Sequence, residues 1–346
     1  MANTDCIRKT HSCACGMRRT LLMLVATWGF AALAPAAHAE PVVLSLAHAA
    51  TTTHPAHLAA LQFAKRVEER THGQVRTEIF PASQLGSENE LLQKVRLGAV
   101  DMDVTSMNYL IKYEKTFSVI VMPYLFDSYA HAHRVLDGPA MKWLAPLAEK
   151  QGFVILSNWE WGFRNITNNK RPINVPEDVR GLRVRVPPVA ELEATMQALG
   201  ARVSKVGFKE LPQALAQDLV DGQENPLNVI YYNKLYEVQK HLALTRHVYY
   251  NTLHLMSARS WAKLTPAEQA IMREESKAAG DGMRRKIIAE EEELIARMVA
   301  AGVEVTRPDP GPFRAATRGA REEIGRFAGD ENVRTFLKMV DAERKQ

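Results

Sequence analysis

The run Gly181-Leu-Arg-Val-Arg-Val-Pro-Pro188 sets Leu182, Val184 and Val186 against Arg183 and Arg185 in strict alternation. That is the period of a half-buried strand, and the two prolines prevent it from continuing as a central ladder strand. With the aliphatic face in a core, both arginines point the other way and are equivalent by parity. Arg185 stands nearer the carboxyl end of the strand, where open α/β sheets place their ligands. A guanidinium there offers a planar fork of donors that matches a carboxylate, while a surface ion pair is the plainer use of an arginine.

Working outward, the chain alternates strands and helices. Residues 42–47 read as a strand, and Ala60, Phe63, Ala64 and Val67 line one face of a helix stopped by Gly73. Val75, Thr77 and Ile79 alternate along a second strand, the pair Ser87 and Glu90 caps a helix ending at Gly98, and residues 100–105 form a third strand. This β, α, β, α, β order predicts a parallel sheet with crossover helices. After two short helices ending at Gly138 and Gly152, residues 153–156 form a strand, followed by the aromatic segment Asn158-Trp-Glu-Trp-Gly-Phe-Arg164. The pattern then restarts with the Arg185 strand, a helix over 192–199, a strand over 201–206 and a helix over about 209–217. Asp221-Gly-Gln-Glu-Asn-Pro226 gathers turn formers, with Asn225 as a turn or helix-cap residue; 247–257 reads as a strand. Residues 266–301 predict one helix of about 54 Å, long enough to lie across two domains, with the acidic run 290–293 on its solvated face.

The 346 residues, 46% hydrophobic and 24% charged, suffice for two medium α/β domains. The N-terminus belongs to neither: Arg18 and Arg19 precede an apolar run over 21–33 that ends in Ala37-His38-Ala39, the pattern of a cleavable signal peptide spanning 1–39. Cys6, Cys13 and Cys15 all fall within that leader, so the exported chain has no disulfide or thiolate site. Four of the 44 basic and one of the 39 acidic residues go with it, leaving 40 against 38. A charge of +2 makes no case for nucleic acid as a partner. No histidine pair has a third metal ligand, and no nucleophile elbow, phosphate loop or dinucleotide fingerprint is present. No metal or cofactor is expected. What remains is arginine and amide side chains near strand ends: Arg164 behind Trp159, Trp161 and Phe163, Arg185, and Asn225.

Four motifs resemble those of TRAP transporter solute-binding proteins of the DctP type: Gln84-Leu-Gly86, Gly181-Leu-Arg-Val-Arg-Val-Pro187, Asp221-Gly-Gln-Glu-Asn-Pro226 and Tyr236-Glu-Val-Gln-Lys240. They occur in the family's order at near-family spacing, and the likeness covers nearly all of the chain after residue 39. The resemblance implies a periplasmic binding protein fold: two three-layer α/β domains around a cleft, hinge strands, and a long helix across both domains. The domains would be 40–162 with 251–285, and 163–250 with 286–346. It implies a monomeric, non-enzymatic receptor that captures a small organic carboxylate and delivers it to membrane permease subunits. By position, Arg185 matches the family's carboxylate-binding arginine, Arg164 its second arginine, Asn225 the asparagine on the same carboxylate, and Phe208 an aromatic wall. Ser106 and Asn108 fall in the loop after the third strand, and His48 and Thr51 in the loop after the first; Trp161 would help set selectivity. The ligand is expected to be a mono- or dicarboxylate, with a sugar acid as the alternative; a sensory subunit or a secreted enzyme acting on an organic acid are the other readings.

Overall fold

The computed structural model describes residues 40–344; the expected leader, 1–39, lies outside them. β1 (Val42–His48), α1 (Pro55–Arg70), β2 (Val75–Phe80), α2 (Glu88–Leu97) and β3 (Met102–Ser106) form the expected parallel unit, with β1 paired to both β2 and β3. Ser87 and Glu90 close the capping box that starts α2, and Gly98 ends it in the left-handed conformation. α3 (Tyr129–Asp137) and α4 (Pro139–Lys150) lead into β4 (Phe153–Asn168). The second lobe repeats the plan with β5 (Arg183–Val186), α5 (Ala190–Ala198), β6 (Arg202–Lys205), α6 (Leu211–Ala216) and β7 (Gly222–Pro226), followed by α7 (Leu227–Tyr232). β8 (His241–Ser257), α8 (Ala258–Trp261), α9 (Pro266–Ala300), β9 (Glu304–Thr306), α10 (Pro310–Ala316), α11 (Arg318–Ala328) and α12 (Asp330–Arg344) complete the chain.

The strands run β2-β1-β3-β8-β4-β7-β5-β6, with β9 beside β8. Two parallel sets, β2-β1-β3 and β7-β5-β6, are thus joined through the long antiparallel pair β8–β4. That pair slips register three times, between Ile155 and Ser157, Glu160 and Gly162, and Arg164 and Ile166. Bulges bend and twist a strand, and these fall along β4 up to the start of its pairing with β7. α9 packs along α1, β4 and α7 and so backs both lobes. Its Gly280 is required by that packing: a Cβ there would sit 2.6 Å from Trp159 Cδ1 and 2.7 Å from the Asn158 carbonyl.

Three expectations are corrected. β4 extends to Asn168 rather than stopping at residue 156, because Asn158, Glu160 and Arg164 are buried polar residues with protein partners and so do not break the strand. The cluster after Asp221 is not a turn but the fully buried strand β7, and Asn225 lies in it rather than capping a helix. Gly222 suits that strand because a Cβ would come within 2.1 Å of the Thr167 carbonyl on β4. The acidic run on α9 is solvated only in part. Glu290 and Glu291 are half-buried, accepting from Tyr232 at 3.1 Å and from Tyr129 at 2.6 Å.

Candidate functional site

A narrow cavity opens where the carboxyl ends of β1, β3, β5 and β7 meet the middle of β4 and β8. Its volume is about 580 Å³ with the open space at the mouth included. Arg164, Arg185, Pro187, Phe208, Asn225 and Pro226 form the second lobe's wall; Ala49, Ala50, His54, Glu88, Thr105, Ser106 and Tyr109 form the first lobe's, with Trp161 and Tyr250 between.

Position at the carboxyl end of β5 places Arg185 in this cavity, while Arg183, at the start of the same strand, bonds Asp221 at 2.7 Å in partial solvent. Arg185 is 1% exposed. Its Nε donates to the Val206 carbonyl at 2.8 Å, its Nη2 has no partner among the described residues, and Cζ lies 6.0 Å from the centre of the Phe208 ring. Burial pushes the guanidinium below the usual arginine range, and the neighbouring Arg164 adds to the fall. A buried cation with an orphaned donor and no salt bridge among the described residues favours an anionic ligand, Glu88 across the cavity offsetting only part of its charge.

Arg164 is equally buried, but its charge is met. Nε and Nη2 form a bidentate pair with the Glu224 carboxylate, and Nη2 also donates to the Glu224 carbonyl at 2.6 Å. Tyr250 lies beneath it, ring centre 4.2 Å from Cζ. Burial pushes the Glu224 carboxyl up, but Arg164 and His247 outweigh it and hold it below the usual range. Arg185, Arg164 and Glu224 together leave one positive charge in excess on this wall.

Across the cavity, His54 closes the gap between the lobes. Its Nδ1 accepts from the Ala56 backbone at 3.0 Å, which leaves Nε2–H to donate to Asn228 Oδ1 at 3.0 Å; Asn228 in turn donates to the Trp161 carbonyl at 2.7 Å. Burial pushes His54 down to about 4, so it is neutral. Glu88, half-buried in the first turn of α2, is the acid of the site; burial raises its carboxyl above the usual range.

Of the residues singled out from the sequence, Arg185, Arg164, Asn225, Phe208, Ser106 and Trp161 lie in the cavity wall. His48, Thr51 and Asn108 do not. His48 is fully buried, 3.1 Å from His57, and Thr51 is half-exposed beside Thr53. Asn108 lines a neighbouring groove under α11. The sequence reading missed Glu88, His54, Tyr109, Tyr250 and Glu224. Glu88 reads as a helix-dipole acid and Glu224 as part of a turn; alternation on a recognised β7 is the signal that separates Glu224 from Asn225.

Residues 46–326 match the family model of bacterial extracellular solute-binding proteins, family 7 (DctP). The chain belongs to this family. Among its relatives, this solute-binding protein is 32% identical to the 2,3-diketo-L-gulonate-binding periplasmic protein YiaO of Escherichia coli K12, over 76% of this chain and 80% of that one. It is 33% identical to the C4-dicarboxylate-binding periplasmic protein DctP of Rhodobacter capsulatus, over 84% and 92%. A TRAP periplasmic solute-binding protein from Polaromonas sp. JS666, solved bound to D-erythronate, superposes with a TM-score of 0.82 at 31% identity, covering 86% of this chain and 98% of that one.

Proposed function

We propose that this protein is the periplasmic receptor of a TRAP transporter and that its ligand is a hydroxylated monocarboxylate, held by Arg185 and handed to membrane permease subunits. The observation that carries the reading is the bare guanidinium. Arg185 is sealed in the cavity with an unused Nη2, while Glu224 already neutralises Arg164. A ligand carboxylate supplies the missing charge, and exclusion of water from the buried site strengthens the pair. Asn225, Phe208 and Ser106 would complete the carboxylate end, and Trp161 would present an edge or face to the carbon chain. Glu88 decides the second pole: a half-buried acid accepts from hydroxyls but repels a second carboxylate.

The lobes would be 40–162 with 251–285 and 163–250 with 286–346, hinged at the register slips of β4 and β8. Residues 1–39 act as a cleaved export signal, and the mature chain works as a monomer. The role is capture rather than catalysis: the cavity sets a fixed cation on one wall against hydrogen-bonding groups and the acid Glu88 on the other, an arrangement suited to holding a ligand. Titration calorimetry with D-erythronate, D-galactonate and succinate tests the reading. Binding of a hydroxylated acid without turnover is the expected result. Binding of succinate in preference to both hydroxylated acids would overturn the second-pole assignment, and turnover of a bound acid would overturn the receptor role.

A further inference from the structure

The Tyr236-Glu-Val-Gln-Lys240 motif does not touch the cavity, yet a chain of buried side chains runs from it to Asn225. Gln239 Nε2 donates to the Val238 carbonyl at 2.9 Å. Thr167 Oγ1 donates to Gln239 Oε1 at 2.9 Å, Gln223 Nε2 donates to Thr167 Oγ1 at 2.9 Å, and Asn225 Nδ2 donates to Gln223 Oε1 at 2.5 Å. All four side chains are at most 5% exposed. The register explains the line-up: Thr167 on β4 pairs Gln223 on β7, and Gln223 and Asn225, two apart on one strand, share a face.

The direction of this chain is forced from its far end. A backbone carbonyl only accepts, so Gln239 must turn its amino group to Val238 and its oxygen to Thr167. The hydroxyl then has to donate to that oxygen, and its lone pair faces Gln223. Gln223 in turn must present its amino group to Thr167 and its oxygen to Asn225. A flipped Asn225 amide would set two oxygens against each other in a buried site, so its amino group is held toward Gln223.

We propose that Gln223, Thr167 and Gln239 are positioning residues that lock the amide of Asn225, leaving its second Nδ2 hydrogen in a fixed direction to donate to the bound carboxylate, with Oδ1 free to accept from a ligand hydroxyl. The inference rests on the receptor reading above, and it assigns a task to the Gln239 motif that packing alone does not explain. Ligand affinity then depends on a hydroxyl that the ligand does not touch.

The test is Thr167→Val against Thr167→Ser, each in the natural background and in Asn225→Ala, with D-erythronate as titrant. Thr167→Val is expected to weaken binding about tenfold, the loss of one well-placed bond to a charged group, and Thr167→Ser to stay within about twofold. In Asn225→Ala, Thr167→Val should cause no further loss. An equal loss in that background would mean a structural role only, and overturns the proposal. If Thr167→Val does not fold, Gln239→Met cuts the same chain one link further out. A second readout needs no ligand: with isotope-labelled asparagine, the Asn225 amide protons, identified by their disappearance in Asn225→Asp, should be protected from exchange and lose that protection in Thr167→Val. Unchanged protection overturns the relay. Failure of D-erythronate to bind, with protection lost as expected, would count against the receptor reading and leave the relay standing.

Discussion

The two walls of the cavity solve different problems. The second lobe's wall carries fixed charge: two fully buried arginines, one carboxylate paired with Arg164, and one positive charge left over. The first lobe's wall carries neutral or weakly acidic groups, a histidine kept uncharged by burial, hydroxyls at Ser106 and Tyr109, and Glu88 with its carboxyl raised. A buried charge without a partner is costly, so the second lobe's wall is committed to one ligand group and supplies affinity. Neutral donors and acceptors are individually weaker but directional, so the other wall is suited to reading the rest of the molecule.

Breaking this contrast starts with its internal pair. Arg164→Met strands Glu224 in the interior and is expected to destabilise the unliganded protein by about 3–5 kcal/mol in urea unfolding. A loss below about 1 kcal/mol would mean that the pair is no more than a surface-type bridge. Arg185→Met should behave oppositely. Binding of D-erythronate is expected to fall at least about 100-fold, while the empty protein is as stable as before or more so, since an uncompensated buried charge is gone. Retained affinity would move the carboxylate elsewhere.

On the other wall, Glu88→Gln removes the like charge at the second pole. The affinity for succinate should rise about tenfold relative to that for D-erythronate, and an unchanged ratio in calorimetry would show that Glu88 does not face the ligand. The smallest effect is on pH dependence. Burial lowers His54 to about 4 and His48 and His254 to about 3, from an ordinary value of 6.5. The unfolded chain therefore takes up these protons first, so the stability they contribute is present above about pH 6.5 and is lost as the pH falls toward about 3. Denaturant unfolding over that window should show the decline; a flat profile would contradict neutral burial of the three rings.

Much of this was legible beforehand. The strand–helix order, the long helix and the outward parity of Arg185 follow from short-range rules, and the structure has each of them. What escaped is β7. Gly222, Gln223, Glu224 and Asn225 are poor strand formers by local propensity, and they form one because β4 lies close against Gly222 and because Thr167 and Arg164 satisfy the side chains. Asn108, His48 and Thr51 were placed at loops that do end near the cavity, but a loop position fixes no side-chain direction.

The sequence by itself determined the period of each element and the residue types at the strand ends, since alternation and caps are properties of neighbours in the chain. Only the tertiary structure decided which arginine is free. Arg164 and Arg185 are the same side chain in similar burial, and what separates them is Glu224, 60 residues from Arg164 along the chain and within hydrogen-bond reach of it across two paired strands. Charge compensation acts through space, so no local pattern could have shown which guanidinium was still waiting for an anion.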